Sequence, residues 1–243
     1  MMRQSDAVES LFNDKAPAWS AKYAPDGPLF QRLRAFGDRL RALVAPPADV
    51  LDFGCGTGNL ARYLSGEGYR VSACDVAENM IARARIDDQS GAVDWHSLPP
   101  DWRTLPFSSA AFDAVVASSV FEYVFDIGTA FAECGRTLKP NGILVLTVPD
   151  PDHIVRKIER LIRPAIAWLV VFRVSTLVRR LDAYAAYLAC SRNRLSVAEW
   201  SARAAEADFV TISADGGSGP LMFLQFRKVP KTAAASPLFD ETK

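Results

Sequence analysis

The sequence predicts an α/β fold in which helices cover both faces of a mostly parallel, doubly wound sheet. Three observations predict it. Short apolar strands alternate with helices of about ten residues between positions 49 and 148. The run Phe112–Ser118 (FDAVVAS) is almost continuously apolar, as a central strand covered on both faces requires. A glycine cluster, Gly54-Cys55-Gly56-Thr57-Gly58, follows directly on an apolar strand, where a chain turning tightly needs residues without a Cβ.

The elements follow in order. Residues 1–45 read as a helical cap, with Phe12, Trp19, Tyr23, Phe30, Leu33, Phe36 and Leu40 giving an intermittent apolar face. Asp49–Phe53 is the first strand, and Asn59 to Ser65 the helix after the glycine turn. Tyr69–Cys74 is a second strand closed by Asp75, and Glu78–Arg85 a second helix. Ala92–Ser97 and Phe112–Ser118 are the third and fourth strands. Helix Ile127–Leu138 leads through the turn Lys139-Pro140-Asn141-Gly142 into a fifth strand, Ile143–Val148. The alternation then stops. Residues 154–190 read as a helical, basic insertion and Ser196–Ala207 as a helix. Phe209–Ser213 and Leu221–Phe226 suit a closing hairpin. One domain is expected over 1–228, with 229–243 as a flexible tail.

Composition narrows the function. Lys+Arg and Asp+Glu balance at 28 each, so no global field recruits nucleic acid. The four cysteines are scattered and form no metal-ligand cluster, and no metal is expected; a reducing, cytoplasmic setting fits. The start, MMRQSDAVESLFNDK, lacks the apolar core of a signal peptide. No uncharged apolar run of about 18 residues exists to span a bilayer.

The glycine turn carries the chemistry. A dinucleotide fingerprint spaces its glycines GxGxxG, whereas here the third glycine, Gly58, comes one residue early and Asn59 takes the expected place. An acidic residue, Asp52, sits inside the preceding strand. In this form, VLDFGCGTG, the segment resembles the first motif of the class I S-adenosylmethionine (SAM)-dependent methyltransferases. The resemblance extends over about a hundred residues, through Asp75, Met80, the loop Asp101-Trp102-Arg103-Thr104-Leu105-Pro106-Phe107, the fourth strand and the Leu-Lys-Pro-Asn-Gly turn.

It implies a seven-stranded Rossmann-like methyltransferase sheet with an N-terminal helical cap and a helical insertion after strand 5. By the same resemblance, SAM, with S-adenosylhomocysteine as product, lies on Asp52, Gly54, Cys55, Gly56 and Gly58. Asp75 accepts from the ribose hydroxyls, with Val76 beside it, and Met80 packs near the adenine. Asp101 and Trp102 meet the adenine, although Pro99-Pro100 departs from the family pattern and leaves Asp94 as an alternative acid. The stretch Phe12–Tyr23 is similar to the leading helix of quinone, polyketide and sugar methyltransferases, which places Trp19 and Tyr23 over the cofactor's methionine end.

Ligands of open α/β sheets sit beyond the carboxyl ends of the strands, which puts Ser118–Tyr123, with Ser118 and Ser119 against the cofactor, and Val148–His153 beside the transferred methyl. His153 is the first choice of general base, against a plain helix-capping role, with Tyr123 and Asp150 as substitutes. The expected reaction is methylation of a small hydroxylated acceptor: a quinone-type phenol, a sugar or a polyketide. N- or C-methylation needs no base and is the alternative in the same fold. A nicotinamide-dependent oxidoreductase and a catalytically silent SAM-binding subunit are the alternatives of other classes.

Residues 154–181 carry seven basic residues against Glu159 alone, with an apolar stripe through Ile154, Ile158, Leu161, Ala165, Trp168 and Phe172 that Pro164 should kink. Such a segment suits a lid over the acceptor or a homodimer helix. It equally suits an interfacial helix at the inner face of an anionic membrane.

Overall fold

The computed structural model describes residues 4–27, 29–171, 179–216 and 219–230. The expected cap consists of α1 (Gln4–Trp19), a 3-10 turn (Ser20–Tyr23) and α2 (Phe30–Leu43). The alternating part follows as β1 (Asp49–Phe53), α3 (Asn59–Gly66), β2 (Arg70–Asp75), α4 (Glu78–Asp87) and β3 (Val93–Ser97). It continues with β4 (Phe112–Ser118), α5 (Ile127–Thr137) and β5 (Leu138–Pro149). Helices α6 (Ile154–Val171), α7 (Arg179–Cys190) and α8 (Val197–Ala205) precede the closing hairpin, β6 (Phe209–Gly216) and β7 (Leu221–Lys228). Most of the expected tail, 231–243, and residues 172–178 of the insertion lie outside the described residues.

The seven strands form one sheet in the order β3-β2-β1-β4-β5-β7-β6. β1 to β5 run parallel, and β7 pairs antiparallel with both β5 and β6. Side chains of the central strands alternate between two cores, which is why these strands read as unbroken apolar runs. Leu51, Phe53, Val115, Ala117, Leu144 and Leu146 point to the face covered by α5 and α8, where Phe131 and Trp200 are fully buried. Val50, Ala114, Val116, Ile143 and Val145 point to the other, against Phe36 and Leu40 of α2 and Leu60 and Leu64 of α3.

Several boundaries shift by one to three residues, and the start of β5 differs most from the sequence expectation. β5 begins at Leu138, so the Lys-Pro-Asn-Gly segment lies within the strand. Pairing with β4 steps from Phe112↔Leu138 to Ala114↔Ile143. The extra residues bulge out, with Asn141 in the left-handed region at φ 63°. Lys139 is held there by Asp49 at 3.1 Å and Asp113 at 2.8 Å.

The strand order reverses direction at β1 and β4. Ligand crevices of open α/β sheets form beyond the carboxyl ends at such a point, and α1 crosses above it to reach α4 and α7.

Candidate active site

A cavity of about 450 Å³ opens beyond the ends of β1, β2 and β4. Its floor is the glycine turn. Gly54 and Cys55 both donate their N–H to the Cys74 carbonyl, at 2.8 and 3.0 Å, tying the turn to β2. Gly54, Gly56 and Gly58 all have φ between 55° and 74°, the left-handed region that favours glycine. The Asp75 carboxylate accepts from Gly56 N–H and Ala77 N–H, each at 2.8 Å, which fixes its orientation while leaving lone pairs for a ligand.

Asp52 is 1% exposed, and neither of its carboxylate oxygens has a partner at hydrogen-bonding geometry. Burial, reinforced by the charge of Asp75 and opposed only weakly by the Ala61 amide, pushes its pKa up to about 8. A buried carboxylate without a partner is costly, and a cation delivered by a ligand would relieve it. Close by, Arg32 on α2 donates to Ser119 Oγ at 3.3 Å, and its charge acts on Tyr23, whose phenol burial holds protonated.

Asp52 fits the ammonium at the amino-acid end of SAM, and Arg32 stands behind the lining residue Ser119 rather than in the lining itself. Trp19 covers the turn so closely that a Cβ on Gly56 would come 3.4 Å from its Nε1. Asp75 at the end of β2, with Val76, Leu98, Asp101 and Trp102, lines the continuation of the cavity. Trp102 meets Phe53 edge-on at 5.4 Å. That half suits a ribose and a flat base.

Residues 51–146 match the methyltransferase domain family. This segment carries the resemblance to class I SAM-dependent methyltransferases that the site geometry supports. A demethylmenaquinone methyltransferase from Thermus thermophilus is 35% identical over 142 residues, 54% of this chain and 64% of that one. A malonyl-[acyl-carrier protein] O-methyltransferase from Enterobacter lignolyticus is 35% identical over 44% of this chain and 41% of its own. The chain thus spans less than two thirds of the length of either relative. A Burkholderia thailandensis 1,6-didemethyltoxoflavin-N1-methyltransferase, solved with its substrate and S-adenosylhomocysteine, shares the fold at TM-score 0.64 and 18% identity, covering 92% of this chain and 88% of that one. The match over residues 51–146 runs against the oxidoreductase reading.

Most of the methyltransferase residues named from sequence meet in the cavity: Trp19, Tyr23, Asp52, Gly54, Cys55, Gly56, Asp75, Val76, Asp101, Trp102, Ser118, Ser119 and Tyr123 all line it. Two cofactor residues do not. Gly58 lies behind the turn, where its missing Cβ makes room for Trp95, whose Cη2 would stand 2.2 Å from one. Met80 is fully buried beneath the lining, packed with Ala16, Ala77, Phe12 and Trp19. Asp94 is occupied by His96 at 2.7 Å, on the exposed side of β3.

The expected bases are corrected more sharply. His153 and Asp150 do not line the cavity. His153 Nδ1 accepts from Val155 N–H at 3.2 Å, capping the first turn of α6, and Asp150 accepts from Asp152 N–H at 2.9 Å. Tyr123 lines the cavity, but burial, with Glu122 and Tyr187 nearby, raises its pKa well above the usual phenol value, so it donates rather than accepts a proton. Sequence reasoning missed the aromatic mouth residue Phe125, which is 68% exposed, and Arg32, which backs the lining residue Ser119 from α2. Neither belongs to a motif, and only their neighbours in space reveal them.

Proposed function

We propose that the protein transfers a methyl group from SAM to the hydroxyl of a small, flat, apolar acceptor of the phenol or quinol type. The observation that carries this reading is the cavity's composition. From the Asp52 and Asp75 floor it continues past Phe12 and Tyr123 to a mouth at Val124 and Phe125, and Phe12 meets Tyr123 edge-on at 5.1 Å. Such walls favour an aromatic ring over a sugar.

When bound, SAM supplies an electrophilic sulfonium methyl. Asp52 and Trp19 hold the cofactor's amino-acid end, with Arg32 bracing Ser119 behind them, and Asp75 fixes the ribose. The aromatic residues of α1 and Tyr123 exclude water and align the acceptor oxygen for in-line attack. Tyr123 keeps its proton and orients that oxygen by donating to it. Neither histidine lines the cavity, which favours an acceptor hydroxyl acidic enough to give up its proton without an imidazole, as a phenol is. The Thermus relative, named for a demethylated menaquinone, supports a quinol-type acceptor, though the methyl of menaquinone lies on a ring carbon and not on an oxygen.

Transfer of labelled methyl from SAM across matched phenols, sugars and amines, with the product bond read by mass spectrometry, tests this. O-methylation of the phenols is expected. Transfer to amines or carbon alone would replace the acceptor assignment. Tight SAM binding with no transfer to any acceptor would make the chain a silent cofactor-binding subunit.

A further inference from the structure

Helix α6 is turned inside out. Over residues 154–164, its apolar residues face solvent: Ile154 is 63% exposed, Ile158 48% and Leu161 78%, and Val155 and Ile162 complete the stripe. At i, i+1, i+4, i+7 and i+8 these five share one helical face. The opposite side carries the charge. Glu159 is 3% exposed and accepts from Arg156 and Arg194, each at 2.7 Å, and from Tyr184 at 2.8 Å. A helix that packs its ion pairs inward and leaves isoleucine and leucine in water is ordered by that inner network, which leaves its apolar face for a partner.

We infer that this face docks α6 on an anionic lipid surface. Glu159 is the one acid between positions 154 and 164, and it is turned inward. Lys157 and Arg160 are exposed beside the stripe, and Lys157 lies 3.5 Å from Asp152. An apolar stripe edged with cations is complementary to acyl chains beneath anionic headgroups. A second copy of the chain fits less well, because an isologous contact would bring these cations against themselves. Among the described residues no helix is long and apolar enough to cross a membrane, so the contact is interfacial. The inner network also reaches the cavity: Arg156 donates to Tyr187 Oη at 2.6 Å, and the Tyr187 ring lies 6.4 Å from that of Tyr123. Docking therefore occurs close to the acceptor end, where an acceptor drawn from lipid would enter.

The experiment is sedimentation of the full chain with phosphatidylcholine vesicles, with and without phosphatidylglycerol. Binding should require phosphatidylglycerol and weaken as salt screens it. The double variant Ile158→Glu, Leu161→Glu should lower the bound fraction about tenfold or more, with unchanged thermal unfolding because both side chains are exposed. Wild-type protein that ignores anionic vesicles, or a double variant that binds them equally, would overturn the inference. So would a dimer in sedimentation velocity that the same substitutions dissolve. Methyl transfer to a water-soluble phenol without vesicles is measured in parallel, so that failure of docking is distinguished from failure of the proposed chemistry.

Discussion

Asp75 Oδ2 accepts the Gly56 N–H at 2.8 Å, so the carboxylate that ends β2 also holds the turn that ends β1. One side chain thereby shapes the cofactor floor and offers itself to the ribose. Asp75→Ala should weaken SAM and S-adenosylhomocysteine by about 1.5–3 kcal/mol, roughly ten- to a hundredfold or more, and lower the melting temperature of the ligand-free protein. Calorimetry that finds unchanged affinity would remove Asp75 from the site.

Asp52 predicts a pH dependence. Its folded pKa of about 8 lies far above the ordinary carboxylate value near 4. As pH rises between those values the unfolded chain releases a proton that the folded chain keeps, so the ligand-free protein loses stability across that window and no further above it. Asp52→Asn should flatten this slope. Because the SAM ammonium pairs with the ionised form, affinity should climb by up to tenfold per pH unit towards pH 8 and then level. Calorimetry at neutral pH in two buffers of different ionisation enthalpy should show close to one proton released; none released would contradict the pairing.

Glu159 should be the costliest residue of α6 to remove. Glu159→Ala leaves Arg156 and Arg194, 9% and 15% exposed, without their counter-ion, which costs about 3–5 kcal/mol for a buried pair. Burial pushes the Glu159 carboxyl up, but hydrogen bonds from Arg156, Tyr184 and Arg194 more than offset it, and its pKa is lowered. Its contribution is therefore present above the ordinary carboxylate range and lost as pH falls through the lowered value. Equal acid stability of wild type and Glu159→Ala would refute this account.

His153→Ala should turn over at close to the wild-type rate. Losing the bond to Val155 N–H frays the start of α6 by about 1 kcal/mol, the scale of a lost cap. A hundredfold drop in turnover, the scale of a lost general base, would return His153 to the chemistry.

β1 and β4 were legible to the residue because apolar runs covered on both faces have little alternative to a central strand. β5 was shortened in the reading because Pro140-Asn141-Gly142 has turn chemistry, and only the renewed pairing at Ile143 shows a bulge instead. The floor of the site was legible because its residues cluster in one motif. Arg32 was not, since it is one of four arginines on α2 and is distinguished only by reaching Ser119. His153 follows a strand end as a base would, yet which way an imbibed side chain points is decided by the helix it caps. For α6, periodicity located the stripe through Ile154, Ile158 and Leu161, but not that it faces water; Ala165 and Trp168, like Phe172, lie where no side chain is described.

Trp19, poised 3.4 Å from where a Gly56 Cβ would lie and topped by Lys22 Nζ at 3.9 Å from its ring, gives the protein an optical gauge. An indole between an ammonium and the seat of a sulfonium compound changes its emission when that seat fills. Ultraviolet excitation of the unlabelled chain can therefore count occupied sites before any acceptor is known. Trp19→Phe should remove most of that change and leave the smaller response of Trp102, on the adenine side, to be read above the emission of the chain's other three tryptophans.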